Sequence, residues 1–231
     1  TLFRSYGCGA DARLRATDIR AAGDGQRFAV EADGRRLGEL ALAVPGRHNV
    51  LNALAAAAAG LEAGLTFEQV RAALAEARLP RRRFERVAER AGVTVISDYA
   101  HHPSEIAALL RTARALPRRR LLAVFQPHRY TRTLALGPEF PAAFAGADEL
   151  VLTPVYAAAE APLPGGTVWD LYRHFRPAAA EPPGAAAPVS VATSLRQAWE
   201  YYRGRLAAGD VLLVIGAGDV EQIAFWARAE L

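Results

Sequence analysis

Apolar and polar positions divide the chain into two stretches of different rhythm. From 1 to 45 the apolar residues alternate: Leu14, Ala16 and Ile19, then Phe28, Val30 and Ala32, then Leu37, Leu40, Leu42 and Val44. Turn signals at Gly23-Asp24-Gly25 and Asp33-Gly34 separate the runs, which predicts a small antiparallel hairpin or meander too thin to stand alone. Val50, Leu51, Leu54 and an alanine run then predict a helix. Thr66 is placed to cap a second helix running through Leu79, with Phe67, Val70, Ala73 and Leu74 on its apolar face.

In LPRRRFER, residues 79–86, a proline meets a charge run, and the domain boundary is placed there, between 80 and 81. Beyond it the period switches regularly between two and 3.6. Strands are predicted at 93–97, 121–125, 149–153, 188–192 and 210–215, and helices at 103–116, 138–146, 167–175, 194–207 and 219–229. The alternation predicts an α/β fold with a mostly parallel sheet and crossover helices. The Pro/Ala-rich stretch 176–188 is read as a surface loop.

Composition narrows the function classes. The single cysteine, Cys8, excludes an internal disulfide and favours a reducing, cytoplasmic setting. No apolar run reaches the ~20 residues of a membrane span. A net charge of +4 raises nucleic acid as a partner, but no aromatic platform or recognition-helix pattern accompanies the arginines, which read as solvated surface. The absence of methionine suggests a chain cut from something longer. All 28 cationic residues are arginine, so a phosphate loop of the GxxxxGK type cannot occur here. No zinc-type Cys/His spacing or GxSxG is present, and no metal ligands are assigned.

Candidate chemistry gathers where strands end. Asp98, Tyr99, His101 and His102 lie between the strand at 93–97 and a helix whose first position suits Pro103. In an open α/β sheet this turn falls at the carboxyl edge, beside the anion-attracting start of a helix. The next strand ends in a loop carrying His128, Arg129, Tyr130 and Arg132, whose guanidinium groups suit a carboxylate or phosphate. A third edge feature is Gly216-Ala217-Gly218-Asp219, a weak dinucleotide fingerprint in which Asp219 is positioned to cap the last helix. Taken singly, Asp98 reads as a turn residue, His102 as a cap and the arginines as solvated. Together they point to phosphate handling and carboxylate recognition.

Five segments, HNVLNALAA at 48–56, RRF at 82–84, DYAHHPSEI at 98–106, FQPHRYTRT at 125–133 and GAGD at 216–219, resemble the Mur ligase family. The resemblance implies residues 1–80 as the α+β tail end of a P-loop ATPase-like central domain and 81–231 as a Rossmann-like domain that brings the amino acid. It implies ATP-driven amide formation through an acyl phosphate in peptidoglycan precursor synthesis, with UDP-N-acetylmuramate, L-alanine and ATP as small-molecule partners. Mg2+ would be held mostly by residues outside this chain, and the chain alone would be inactive. Neither nucleic acid nor membrane is implied, and the protein would be a cytoplasmic monomer or homodimer.

Residue by residue, the resemblance assigns ATP to Asn49, Asn52, Arg83 and Asp98, with Asn49 nearest the adenine. His101, Arg129 and Arg132 become catalytic, and Tyr99, His101, His128, Arg129 and Arg132 receive the substrate, Tyr99 keeping the side-chain pocket small. Two glycines usual in the family are alanines here, Ala100 and Ala159. A muramyl-tripeptide recycling ligase of the same family, and a non-catalytic Rossmann-like nucleotide- or partner-binding module, are the alternatives.

Overall fold

The computed structural model describes residues 5–23, 25–175 and 187–231. Asp24 and most of the loop expected at 176–188 lie outside these. The chain divides into two compact units, Thr1–Leu79 and Pro80–Leu231.

In the first unit a sheet runs in the order β1 (Tyr6–Gly7), β2 (Leu14–Ala22), β3 (Gly25–Ala32), β4 (Arg35–Leu42). The strands β2 to β4 form the expected antiparallel meander, and β1 adds a short parallel edge. Asp33 and Gly34 sit at φ 49° and 79°, the doubly positive turn whose twist matches the flanking strands. Phe28, Val30 and Leu40 meet Val50, Leu54 and Val70 from α1 (Arg47–Glu62) and α2 (Phe67–Ala75). Thr66 accepts from the Gln69 N–H and its own N–H donates to the Gln69 side chain, closing a capping box. Helix α2 stops at Ala75, short of the expected Leu79.

The second unit is an α/β layer structure around a six-stranded sheet, and it is Rossmann-like. Its order is β5 (Glu85–Arg90), β6 (Val93–Asp98), β10 (Asp210–Ile215), β7 (Arg120–Phe125), β8 (Glu149–Leu152), β9 (Val189–Val191). Every pairing is parallel except that of β5 with β6. Strand β10 is buried along its whole length, and its side chains alternate between two cores. Val211, Leu213 and Ile215 face α3 (Pro103–Arg114), α5 (Phe140–Ala143) and α6 (Val168–His174). Leu212 and Val214 face α7 (Leu195–Arg203) and α8 (Glu221–Glu230), where Trp199 and Tyr202 fill the layer.

Several elements differ from the sequence reading. The charged segment assigned to the boundary continues into β5, an edge strand whose exposed Arg86, Glu89 and Arg90 suit a solvated rim. The arginine motif is only partly a loop, because α4 (Tyr130–Leu136) begins directly after Arg129 and carries Arg132. The helix expected at 138–146 is broken into a 3-10 turn, Gly137–Glu139, and the four residues of α5. Pro138 and Pro141 supply the reason, since each lacks an N–H and disfavours helix before it. Asp219 does not cap α8 with its side chain; Val220 is the N-cap residue and has no side-chain cap bond.

Leu110 is 1% exposed, between α3 and the sheet. Leu110→Ala is expected to lower the stability of this unit by about 2–5 kcal/mol, read from denaturant unfolding.

Candidate active site

Strand β10 lies between β6 and β7, and its register aligns Ile215 with both Asp98 and Phe125. Three parallel strands therefore end level. The chain leaving β6 and β7 turns to one face of the sheet and the chain leaving β10 turns to the other, which opens a crevice outside the strand ends.

Main-chain donors and acceptors build the walls of this rim. Asp98 accepts from the Phe84 N–H through Oδ2 (2.7 Å) and from the Ala100 N–H through Oδ1 (2.8 Å), tying the segment before β5 to the turn after β6. The Tyr99 N–H donates to the Arg82 carbonyl (2.6 Å), closing the same junction. Arg82 donates to the carbonyls of Gly216 and Gly218 and its guanidinium lies 4.9 Å from the centre of the Tyr99 ring. On the other side, Gln126 donates to Asp219 Oδ1 (2.6 Å) and accepts from the Val220 N–H (3.0 Å). The two glycines weighed as a nucleotide fingerprint serve this packing: a Cβ on Gly216 would stand 2.8 Å from the Gln126 carbonyl, and one on Gly218 2.5 Å from Gln126 Oε1.

Across the rim the aromatic side chains touch in sequence. Tyr99 meets His101 edge to face at 5.6 Å, His101 lies 5.7 Å from His128, and His128 stacks on Tyr156 at 5.6 Å. Hydrogen-bond partners fix both imidazole tautomers. His101 Nδ1 lies 3.0 Å from the Tyr99 carbonyl, which only accepts, so in the neutral ring this nitrogen carries the proton and Nε2 has the lone pair. His128 Nδ1 lies 3.1 Å from Arg132, which only donates, so the proton of the neutral ring is on Nε2. The pair thus presents one acceptor and one donor nitrogen. Glu105 accepts from the N–H groups of His101 and His102; burial would raise its pKa, but these bonds and the charges of His101 and Arg83 hold it below the usual carboxylate range. His102 acts as the cap of α3.

Arg129 occupies the left-handed region at φ 71°, uncommon for a side chain of this size. It is exposed, and its guanidinium makes no hydrogen bond or ion pair among the described residues. Glu160 sets the start of α4 by accepting from the hydroxyl (2.6 Å) and N–H (3.1 Å) of Thr131, and those bonds hold its pKa low. Arg83 is exposed, its guanidinium 5.6 Å from the Tyr99 ring centre. The structure therefore brings Arg83, Asp98, Tyr99, His101, His128, Arg129 and Arg132 to one rim. Asp98 is engaged there by main-chain N–H groups. Asn49 and Asn52 belong to the first unit, where Asn49 is buried, donating to the Pro45 carbonyl (2.6 Å) and accepting from Asn52 (3.4 Å).

The sequence reading missed Arg82, Glu105, Gln126 and Tyr156. Glu105 carried a signal, three residues after a cap position, and Arg82 stood beside Arg83 in the same motif. Gln126 stood inside FQPHRYTRT and Tyr156 opens the segment that ends at Glu160, but both act through partners 93 and 28 residues away, which no local pattern shows.

The Mur ligase, glutamate ligase domain family matches residues 82–218, and the chain belongs to the Mur ligase family. A UDP-N-acetylmuramate–L-alanine ligase of Nitratidesulfovibrio vulgaris is 46% identical over 220 residues, 95% of this chain and 47% of that protein. The corresponding ligase of Acidothermus cellulolyticus is 47% identical, over 94% of this chain and 44% of its own length. The chain spans about half the length of these curated relatives. The crystal structure of the UDP-N-acetylmuramate-alanine ligase of Thermotoga maritima matches with a TM-score of 0.77 at 29% identity, covering 97% of this chain and 46% of that one.

Two outcomes are expected. His128 is held below the ordinary imidazole pKa, first by burial and then by the charges of Arg132, His101 and Arg129. Its contribution to stability is therefore full above about pH 6.5 and is lost as the pH falls and the ring is forced to charge. Its NMR titration midpoint should lie below about 6.5, and Arg132→Gln should raise it. Ala158 and Ala159 both have positive φ, 48° and 68°. Ala159→Gly should raise stability by about 0.5–1 kcal/mol in thermal unfolding, because glycine takes this backbone without the Cβ cost.

Proposed function

We propose that this chain is the carboxyl-terminal part of an ATP-dependent ligase that joins L-alanine to UDP-N-acetylmuramate in peptidoglycan precursor synthesis. On this reading residues 1–80 are the tail end of the central ATP-binding domain, and residues 81–231 are the domain that brings the amino acid. The family match over 82–218, within the second unit, and identities of 46% and 47% across nearly the whole chain support it. The observation that carries it is the rim: Arg129, on a strained backbone and with its guanidinium unpaired among the described residues, beside two imidazoles whose exposed nitrogens differ in kind.

The proposed reaction needs those groups. The muramate carboxylate takes the γ-phosphoryl group of ATP, the alanine amine attacks the resulting acyl carbon, the amide bond forms and phosphate leaves. Two anions must approach before either reacts, so fixed positive charge and positioning dominate. Arg129 and Arg132 receive the alanine carboxylate and steady the phosphate, and the proton on His128 Nε2 adds a donor. His101 Nε2 takes a proton from the incoming ammonium, freeing the nucleophilic lone pair. Tyr99 limits the space for the side chain. Arg83 is free to meet ATP phosphates, and Asn49 and Asn52 are assigned to the adenine side. Among the described residues no three His, Cys, Asp or Glu side chains gather as a metal set. The resemblance assigns Mg2+ to ligands mostly outside this chain. No helix among the described residues is long and apolar enough to cross a membrane; a cytoplasmic enzyme, monomeric or dimeric, belongs to the same proposal.

The test is turnover by the complete enzyme with ATP, comparing L-alanine with a muramyl tripeptide as the amine. A higher kcat/KM for L-alanine is expected; preference for the tripeptide overturns the reading in favour of the recycling ligase. Arg129→Ala should lower kcat/KM for L-alanine about 100-fold or more, the scale for removing one partner of a desolvated charge pair. A near-normal value removes Arg129 from the site.

A further inference from the structure

From the packing around His128 we infer that Tyr156 is a positioning residue, holding the His128 imidazole in register for the amino-acid substrate by a stack seated on Gly218. The backbone of Tyr156 brackets His128 on both sides: its N–H donates to the Pro127 carbonyl (2.8 Å) and its carbonyl accepts from the Arg129 N–H (2.9 Å). The two residues form an isolated parallel bridge, so the side chains leave the backbone beside each other. The rings lie 5.6 Å apart at an interplanar angle of 18°. Arg132 holds the ring edge at Nδ1 and His101 stands on another side at 5.7 Å, so Tyr156 supplies the remaining wall.

Tyr156 has little other structural work. It is 38% exposed and belongs to none of the buried clusters. Its floor is Gly218, where a Cβ would stand 2.6 Å from Tyr156 Cβ and overlap the ring. Gly218 is in turn fixed by Arg82, which donates to its carbonyl (2.9 Å). A line of contact thus runs from Arg82 through Gly218 and Tyr156 to His128. A ring stack is worth about 0.5–1.5 kcal/mol beyond burial, enough to choose one imidazole orientation among several.

The inference rests on the proposed ligase reading only for its kinetic arm. In the 231-residue chain itself, with five histidines to assign, the His128 ring C–H signal is followed by NMR in Tyr156→Phe and Tyr156→Leu. The leucine variant should shift this signal downfield as the ring current is lost and raise the His128 titration midpoint as the ring becomes more exposed, while the phenylalanine variant should retain both values. Unchanged signals in Tyr156→Leu overturn the inference whatever the enzyme does. In the complete enzyme Tyr156→Leu should raise KM for L-alanine by up to about tenfold with KM for ATP unmoved, and Tyr156→Phe should restore it. Equal loss for both substrates, or failure of phenylalanine to restore, assigns Tyr156 a merely structural role and overturns the proposal. An NMR shift as expected, with L-alanine not a substrate at all, supports the positioning role and refutes the ligase reading alone.

Discussion

The rim exists because the last strand of the chain pairs between two much earlier ones. With β10 held in register against both β6 and β7, loops beginning at residues 99, 126 and 216 emerge side by side. A slip of one residue would turn every β10 side chain to the wrong core, so the register is strongly specified. A polar clamp at the far end reinforces it. Asp210 is fully buried at the start of β10 and takes two bonds from Arg120 at the start of β7, at 2.6 and 3.1 Å. Burial would raise its pKa, but those bonds and the Ala207 N–H keep the carboxyl ionised and in place.

Above that foundation the rim is rigid where it must be and strained where it presents chemistry. Asp98, Gln126 and Glu160 are engaged with neighbouring backbone or side-chain groups. Arg82, Phe84, Arg129, Ala158 and Ala159 all adopt positive φ at these junctions. Such conformations persist only where surrounding bonds over-determine them. The result is that Arg82 and Arg129 project from backbones with few alternatives, so in the proposed reaction little reorganisation would remain when an anion arrives.

Much of this was legible in the sequence. The buried strands announced themselves as short β-branched runs, Asp33-Gly34 as a hairpin turn, and the candidate rim as the point where period two gives way to 3.6. What failed was governed by distant partners or by competing signals. The edge strand β5 is charged because one side of it meets solvent, and charge reads as linker. The start of α4 was hidden because the arginine motif read as a loop, and the helix was expected only from 138, where Pro138 and Pro141 in fact break it. Gly216 and Gly218 resemble a cofactor fingerprint, yet their small size serves Gln126 and Tyr156, neither of which is near in sequence. Asn49 keeps a local bonding role that a motif alone could not reveal.

The fixed cationic charge of the rim is wholly guanidinium. An acyl phosphate is an electrophile that any neighbouring primary amine would intercept. Guanidinium stays protonated at physiological pH and is a poor nucleophile, so it can neutralise such an intermediate without consuming it. On the proposed ligase reading, with no side-chain amine anywhere in this chain, the reactive carbon would meet no competing primary amine from these side chains, and self-acylation on lysine would be closed off by composition.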